Sequence, residues 1–299
     1  MNILVTGATG FLGSHLVKRF LQENHTVIAI KRKTSDLKRL SICLDNKNLF
    51  IFDSDDNGLK DAFSNVHIDT VFHTACCYGR KGESLETILD ANLMFGIKLL
   101  QTATFFNTDT FFNTDTFFNT DTLLQKYLSF YTLSKKQFVD WLKLYSEKIQ
   151  IVNMKLEHMY GENDDDTKFV PWILNQLKNN VSELKLTKGL QKRDFIHISD
   201  VVDAYSLLLN KKNSLKSFSE FDVGTGDLVT IRNFVEEMYS AYKKIQPTLK
   251  TKLNFGALPY REGEIMEIKE NLTPLKDLGW KPTVNCKTGI EKLIKNLYE

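Results

Sequence analysis

The chain has 299 residues, 42% of them hydrophobic, with 39 basic against 37 acidic side chains and a formal net charge of +2. A chain of this length and apolar content can bury one large core or two modest ones, which excludes disorder as its governing state. The charge balance excludes a global electrostatic drive toward nucleic acid or anionic lipid, so the expected partner is a small molecule.

Cys43, Cys76, Cys77 and Cys286 show no C-x-x-C spacing and read as free thiols of a reducing compartment. The opening MNILVTGATG lacks a charged leader and a long apolar region, and no window approaches ~18 consecutive apolar residues. A cytoplasmic protein without membrane or nucleic-acid partners is expected.

In chain order, NILVT at residues 2–6 predicts a strand, GATGFLG a tight turn, and SHLVKRFLQEN an amphipathic helix. Gly7, Gly10 and Gly13 then have physical tasks: a sharp turn, close backbone approach to a pyrophosphate, and close packing of helix on strand. The helix N-terminus would meet the phosphate charge, so Thr9, Phe11 and Leu12 join the three glycines as cofactor-contact candidates.

A second strand, HTVIAI, ends at Lys31-Arg32-Lys33, where an NAD-preferring site usually carries an acidic residue for the ribose 2′-hydroxyl. Cations there suit a 2′-phosphate, so NADP(H) is expected ahead of NAD(H); the alternative is a solvated charge run. NLFIFDSDD predicts a third strand ending at Asp53, and DTVFHTACC a fourth, both with their ends toward the cofactor. Alternation of strands and helices through residue 155 predicts a doubly wound parallel sheet.

Residues 105–122 are FFNTDT three times over. Three six-residue units are too few to stack a solenoid core, so the segment reads as a duplication within one connector and strand. With the preceding helix ending near Ala103, a connector of ordinary length puts Asn107-Thr108-Asp109 in the turn and Thr110–Asn113 in the fifth strand. Thr114-Asp115-Thr116 then form the strand's carboxyl end, and Thr120 takes that place if the helix runs longer.

In YTLSKKQFVDWLKLYSEK, Tyr131 and Lys135 are four apart and share a helical face. A neighbouring ammonium stabilises a phenolate and would draw the phenol from ~10 toward ~7. Past residue 156 the alternation loosens. Asp164, Asp165 and Asp166 lack the spacing of a cation loop, and the six histidines show no H-x-x-x-H or H-E-x-x-H arrangement, so no metal is expected.

GATGFLG, VFHTA, Tyr131-x-x-x-Lys135, KLEHMYG, QKRDFIHISDVV, FDVGTG, REGE and LGWKP stand in the order of the extended short-chain dehydrogenase/reductase family, which this chain resembles over nearly all its residues. NTDTFF, ACCYGR, NMKLEHMYG and DTKFVPWI are similar to its CDP-abequose and CDP-paratose synthase branch, NADPH-dependent reductases of a CDP-4-keto-3,6-dideoxyhexose in O-antigen sugar synthesis.

The resemblance implies that Arg32 holds the 2′-phosphate, Asp53 the adenine, and that Ala75 lies along the cofactor. It further implies that Thr114 polarises the sugar carbonyl, Tyr131 delivers its proton, Lys135 holds the nicotinamide ribose, and Asn92 sits behind the pair and counts among the cofactor contacts. Arg193 and Arg261 would grip the nucleotide diphosphate, with Glu264 nearby. His158 is either a substrate contact or a loop histidine.

Dehydratases of the family carry Thr-Asp-Glu where this chain has Thr-Asp-Thr, which points away from elimination and toward reduction. An epimerase with the same Tyr/Lys pair is the alternative, and a non-catalytic dinucleotide-binding regulator the second. The expected architecture is α/β: a Rossmann dinucleotide-binding domain at 1–155, rejoined by 194–224, and a smaller α+β nucleotide-sugar lobe from 156–193 and 225–299. The family's usual pairing faces, the helices of Asn92 and Tyr131, imply a homodimer.

Overall fold

The computed structural model describes residues 1–105 and 114–297. The chain divides into two units, one of residues 1–156 and 202–222, the other of 157–201 and 223–299. The strands are β1 (Asn2–Thr6), β2 (Thr26–Lys31), β3 (Leu49–Asp53), β4 (Thr70–His73), β5 (Thr116–Thr122), β6 (Gln150–Leu156), β7 (His158–Tyr160), β8 (Glu183–Leu186), β9 (Lys192–His197), β10 (Phe218–Val223), β11 (Leu228–Thr230) and β12 (Lys252–Phe255). The helices are α1 (Phe11–Gln22), α2 (Asp56–Asn65), α3 (Leu85–Leu89), α4 (Phe95–Phe105), α5 (Phe130–Tyr145), α6 (Phe169–Lys178), α7 (Ile198–Asn210), α8 (Ile231–Ile245), α9 (Thr273–Asp277) and α10 (Cys286–Lys295). None of the described helices is long and apolar enough to cross a membrane.

The first unit is built on a seven-stranded sheet in the order β10-β6-β5-β4-β1-β2-β3, a doubly wound Rossmann arrangement whose order reverses beside β1. The pairs β1–β2, β1–β4, β2–β3, β4–β5 and β5–β6 are parallel. Strands covered on both faces read as continuous apolar runs, which is why Ile3, Leu4 and Val5 are all fully buried. One face packs Leu99 and Leu100 of α4 and Phe138 and Leu142 of α5 against Phe117. On the other, Phe118 stacks on Phe72 at 4.4 Å, and Tyr205 of α7 lies 6.4 Å from Phe118.

The second unit holds the sheet β11-β9-β7 and the parallel pair β8–β12, with α6, α8 and α10 around Tyr160, Phe195 and Phe234. The return of the chain to the first unit begins at Val202, not 194, because β9 pairs with β7 and β11 of the second unit.

The repeat is placed differently from the expectation. Helix α4 continues to Phe105, past Ala103, and β5 is Thr116 followed by the whole third FFNTDT copy. The fifth strand expected at Thr110–Asn113, and the turn at Asn107-Thr108-Asp109, lie outside the described residues. Identical copies are equally good strands, so connector length selects among them, and here the spare length lies before β5 rather than after it. Thr114 and Asp115 therefore enter the sheet at its amino end, where Asp115 N–H donates to the Asp69 carbonyl at 2.9 Å and Thr116 pairs with Thr70.

Deleting one FFNTDT unit leaves β5 and the Thr120-to-Tyr131 spacing intact and shortens only the connector 106–115. We expect kcat near wild type and a stability change within about 1 kcal/mol, read by steady-state kinetics and denaturant melts. Deleting two units removes more than that connector contains, and folding should fail.

Candidate active site

Four strand ends and one helix converge in the first unit. After β1 the chain turns at Gly7 in the left-handed region (φ 63°), where a Cβ would sit 2.8 Å from the Ala75 backbone after β4. Gly10 N–H donates to the Gly7 carbonyl at 2.8 Å. A Cβ on Gly13 would stand 2.2 Å from that same carbonyl oxygen, so strand, turn and α1 are in backbone contact. Gly10 caps α1 without any side-chain acceptor, so the helix N-terminus opens on the glycine loop in a form suited to an anion. Arg39 adds a guanidinium at this loop through a 3.2 Å hydrogen bond to the Thr9 carbonyl.

The basic run after β2 divides in function. Lys31 is paired with Asp53 at 2.6 Å and Lys33 with Asp55 at 2.9 Å, while the exposed Arg32 guanidinium has no acidic partner among the described residues. Asp53, at the end of β3, is thus engaged by Lys31. Glycine cradle, uncapped helix terminus and free guanidinium together fit a dinucleotide.

On the α5 side, Ser129 and Thr132 form a capping box that starts the helix just before Tyr131. Lys135 is 1% exposed, and none of the described residues accepts a hydrogen bond from its ammonium. That is a costly position for a cation unless a ligand supplies acceptors. Burial lowers Lys135 below the ordinary lysine range, with Cys76 and Asp121 opposing the shift. Burial pushes the Tyr131 phenol well up, and Cys76 and Asp121 add to this, while Arg80 and the Tyr78 hydroxyl pull it down. The expected fall toward neutrality is therefore not the outcome: desolvation outweighs Arg80 and Tyr78, and Tyr131 holds its proton. His73, fully buried beside Lys135, is kept neutral by burial and shares a 2.8 Å hydrogen bond with the Thr6 hydroxyl.

Asn92 lies in a π-helical turn, Asp90–Met94, with 0% exposure. Its Oδ1 accepts from Cys77 N–H at 2.7 Å, and its Nδ2 donates to the Cys77 carbonyl at 2.8 Å and to Ser134 Oγ at 3.0 Å. The expectation that it touches the cofactor is corrected, since no surface is left for contact; it ties the loop after β4 to the helix of Tyr131 and Lys135.

Thr114 is also corrected. It sits two residues before β5, at the opposite end of the strand from this cluster, about 20 Å along a seven-residue strand. The carboxyl end of β5 brings Thr120, Asp121 and Thr122 instead. Thr120 Oγ1 is 2.7 Å from the hydroxyl of the fully buried Tyr205. Asp121 pairs with Lys136 at 2.7 Å, and its Oδ1 is buried without a hydrogen bond among the described residues. Sequence reasoning missed Arg39, Tyr78, Arg80, Asp121, Lys136 and Tyr205, none of which stands in a spacing that marks it.

In the second unit, β9 fastens the loop that carries Arg261. Lys192 N–H donates to the Met266 carbonyl at 2.7 Å and Arg193 pairs with Glu264 at 2.5 Å, while Arg261 is exposed in the same turn. Next along, Asp194 accepts from the Thr225 hydroxyl at 2.8 Å and from Gly226 N–H at 2.7 Å, and burial with the carboxylates of Asp194 and Glu157 pushes Glu270 up to about 7. His158 opens β7 and bonds Glu157 at 2.9 Å. Among the described residues no group of three or more His, Cys, Asp or Glu could hold a metal ion.

The model of the NAD dependent epimerase/dehydratase family matches residues 3–224. A CDP-abequose synthase of Salmonella typhimurium is 35% identical over 99% of this chain and 98% of its own length, and one of Salmonella muenchen is 32% identical over 98% and 96%. The crystal structure of a Thermus thermophilus UDP-glucose 4-epimerase complex with NAD superposes with a TM-score of 0.81 at 21% identity, covering 100% of this chain and 99% of that one. With a family model over most of its length, relatives above 30% identity end to end, and the glycine loop and Tyr131–Lys135 helix in the matched region, the chain belongs to the NAD dependent epimerase/dehydratase family of extended short-chain dehydrogenase/reductase enzymes.

Proposed function

We propose that the chain is an NADPH-dependent reductase of the 4-keto group of a CDP-linked 4-keto-dideoxyhexose, acting in the synthesis of surface-polysaccharide sugars such as those of O-antigen. The observation that carries this reading is the end-to-end likeness to CDP-abequose synthases, joined to a Tyr131 phenol that holds its proton and so is ready to give it.

In this reading Gly7, Thr9, Gly10, Phe11, Leu12 and Gly13 hold the pyrophosphate, Arg32 the 2′-phosphate and Asp53 the adenine, with Ala75 alongside. When bound, the reduced nicotinamide supplies hydride to the sugar carbonyl carbon. Lys135 holds the adjoining ribose hydroxyls, which gives its buried ammonium its acceptors. Tyr131 donates its proton to the carbonyl oxygen. Thr120, in place of Thr114, polarises that oxygen: among the described residues the Tyr205 hydroxyl has only Thr120 as partner, and when Tyr205 donates to it the Thr120 proton is free for substrate. Arg193 and Arg261 bind the diphosphate, with Glu264 releasing Arg193 or sharing it.

A homodimer through the helical segments of Asn92 and Tyr131, the latter exposing Trp141 and Leu144 at 43% and 63%, and a cytoplasmic location belong to the same proposal. The test is purified protein with NADPH and a CDP-4-keto-dideoxyhexose. Stoichiometric loss of NADPH with formation of the 4-hydroxy sugar supports reduction; sugar isomerisation without net cofactor loss would make it an epimerase, and neither outcome would leave a binding protein. Arg32→Ala should raise KM for NADPH by about 10- to 100-fold and leave KM for NADH unchanged.

A further inference from the structure

The loop after β4 carries a second phenol against the first. The Tyr78 and Tyr131 rings are 4.8 Å apart at 38°, and the Tyr78 hydroxyl acts on the Tyr131 phenol, pulling it down. Gly79, in the left-handed region at φ 69°, reverses the chain so that the exposed Arg80 folds back with its guanidinium carbon 4.8 Å from the Tyr78 ring centre. This loop is fixed on both sides. Asn92 clamps the Cys77 backbone, and a side chain at Gly79 would meet Ile88 at 2.7 Å. An aromatic and a cation held in this way are preorganised toward Tyr131.

Reduction leaves Tyr131 one proton short after every turnover. Its surroundings offer few sources. Lys135 and Asn92 are buried, His73 is fully buried and bonded to Thr6, and Asp121 is committed to Lys136. Tyr78 is half-buried and sits under the solvent-exposed Arg80.

Resting on the reductase reading above, we propose that Tyr78 is a positioning residue for Tyr131, whose hydroxyl orients the reactive phenol and returns a proton to it, with Arg80 supporting the transfer. The balance is simple. As hydride reaches the carbonyl carbon, the Tyr131 O–H bond breaks and its proton goes to the carbonyl oxygen. The Tyr131 phenolate takes the proton of Tyr78, and Tyr78 takes one from water, with the Arg80 charge offsetting the transient phenolate.

The test is Tyr78→Phe, which keeps the ring stack and removes one hydroxyl, beside Arg80→Gln, a change at an exposed position. With NADPH and the CDP-4-keto sugar, kcat should fall about tenfold or more in Tyr78→Phe and less in Arg80→Gln, with KM for sugar within about twofold. Both groups favour the Tyr131 phenolate, so their loss moves the ionisation of Tyr131, and the alkaline limb of the reduction profile, to higher pH. A readout free of turnover is the ring-carbon resonance of isotope-labelled Tyr131, identified by its loss in Tyr131→Phe and titrated with and without oxidised NADP. Failure of the wild type to reduce the sugar would count against the reductase reading alone, because the titration still reports the Tyr78–Tyr131 contact. Tyr78→Phe with wild-type kcat, or with an unmoved Tyr131 titration, overturns the proposal.

Discussion

Tyr131→Phe is expected to lower kcat for carbonyl reduction by about 100- to 10,000-fold, the usual span for removing a positioned general acid. The melting temperature should move little, because phenylalanine keeps the ring and its contact with the Tyr78 ring. Lys135→Met should cost as much in kcat and, unlike Tyr131→Phe, also raise KM for the cofactor, since its buried ammonium is the group assigned to the ribose. The pH sign follows from burial: with the Tyr131 phenol pushed above its ordinary 10, the donating form persists through neutral pH, and reduction by the wild type should show no loss from Tyr131 ionisation below about pH 10. Steady-state kinetics across pH with thermal melts of each variant check this. A Tyr131→Phe enzyme within tenfold of wild type would remove Tyr131 from the chemistry.

The parts of this site that sequence could reveal are those with local grammar. Gly7, Gly10 and Gly13 follow a strand and open a helix, and Tyr131 and Lys135 are one helical turn apart, so periodicity alone places them. The strand order follows from the alternation of elements. The threonine did not, because FFNTDT is identical three times and neither pattern nor propensity separates the copies. Only connector length does, and α4 ran two residues beyond the expected end at Ala103 while the spare residues fell before β5. The tuning groups were hidden for another reason. Tyr78, Arg80 and Asp121 reach Tyr131 from two other segments of the chain, and no single-sequence spacing encodes a contact that exists only once the sheet is formed. The direction of the Tyr131 shift was hidden too, because two opposing effects, a neighbouring cation and desolvation, were both legible in kind and only burial decides which is larger.

Gly13→Ala carries the second large effect, and its sign rests on a contest of magnitudes. Alanine is the better helix former, favouring the variant by about 1 kcal/mol within α1. Against this, the new Cβ would lie 2.2 Å from the Gly7 carbonyl oxygen and 2.8 Å from its carbon. Those are backbone atoms of a turn pinned by Gly10 and backed by Ala75, so they cannot swing aside as a flexible side chain would. Overpacking of this kind costs about 1 to 3 kcal/mol or more, so the clash wins and the melting temperature should fall by several degrees. The larger consequence is functional: relief requires α1 and the Gly7 turn to part by about 1 Å, which takes the Phe11, Leu12 and Gly13 N–H groups off the pyrophosphate. We expect KM for the cofactor to rise about 100-fold. Gly82→Ala is the control. Gly82 is also in the left-handed region, at φ 78°, yet a Cβ there meets nothing within 4 Å. It should lose about 1 to 2 kcal/mol of stability from backbone strain with no change in cofactor KM. Equal effects of the two alanines on cofactor KM would mean that the close approach of α1 to the turn is not what holds the dinucleotide.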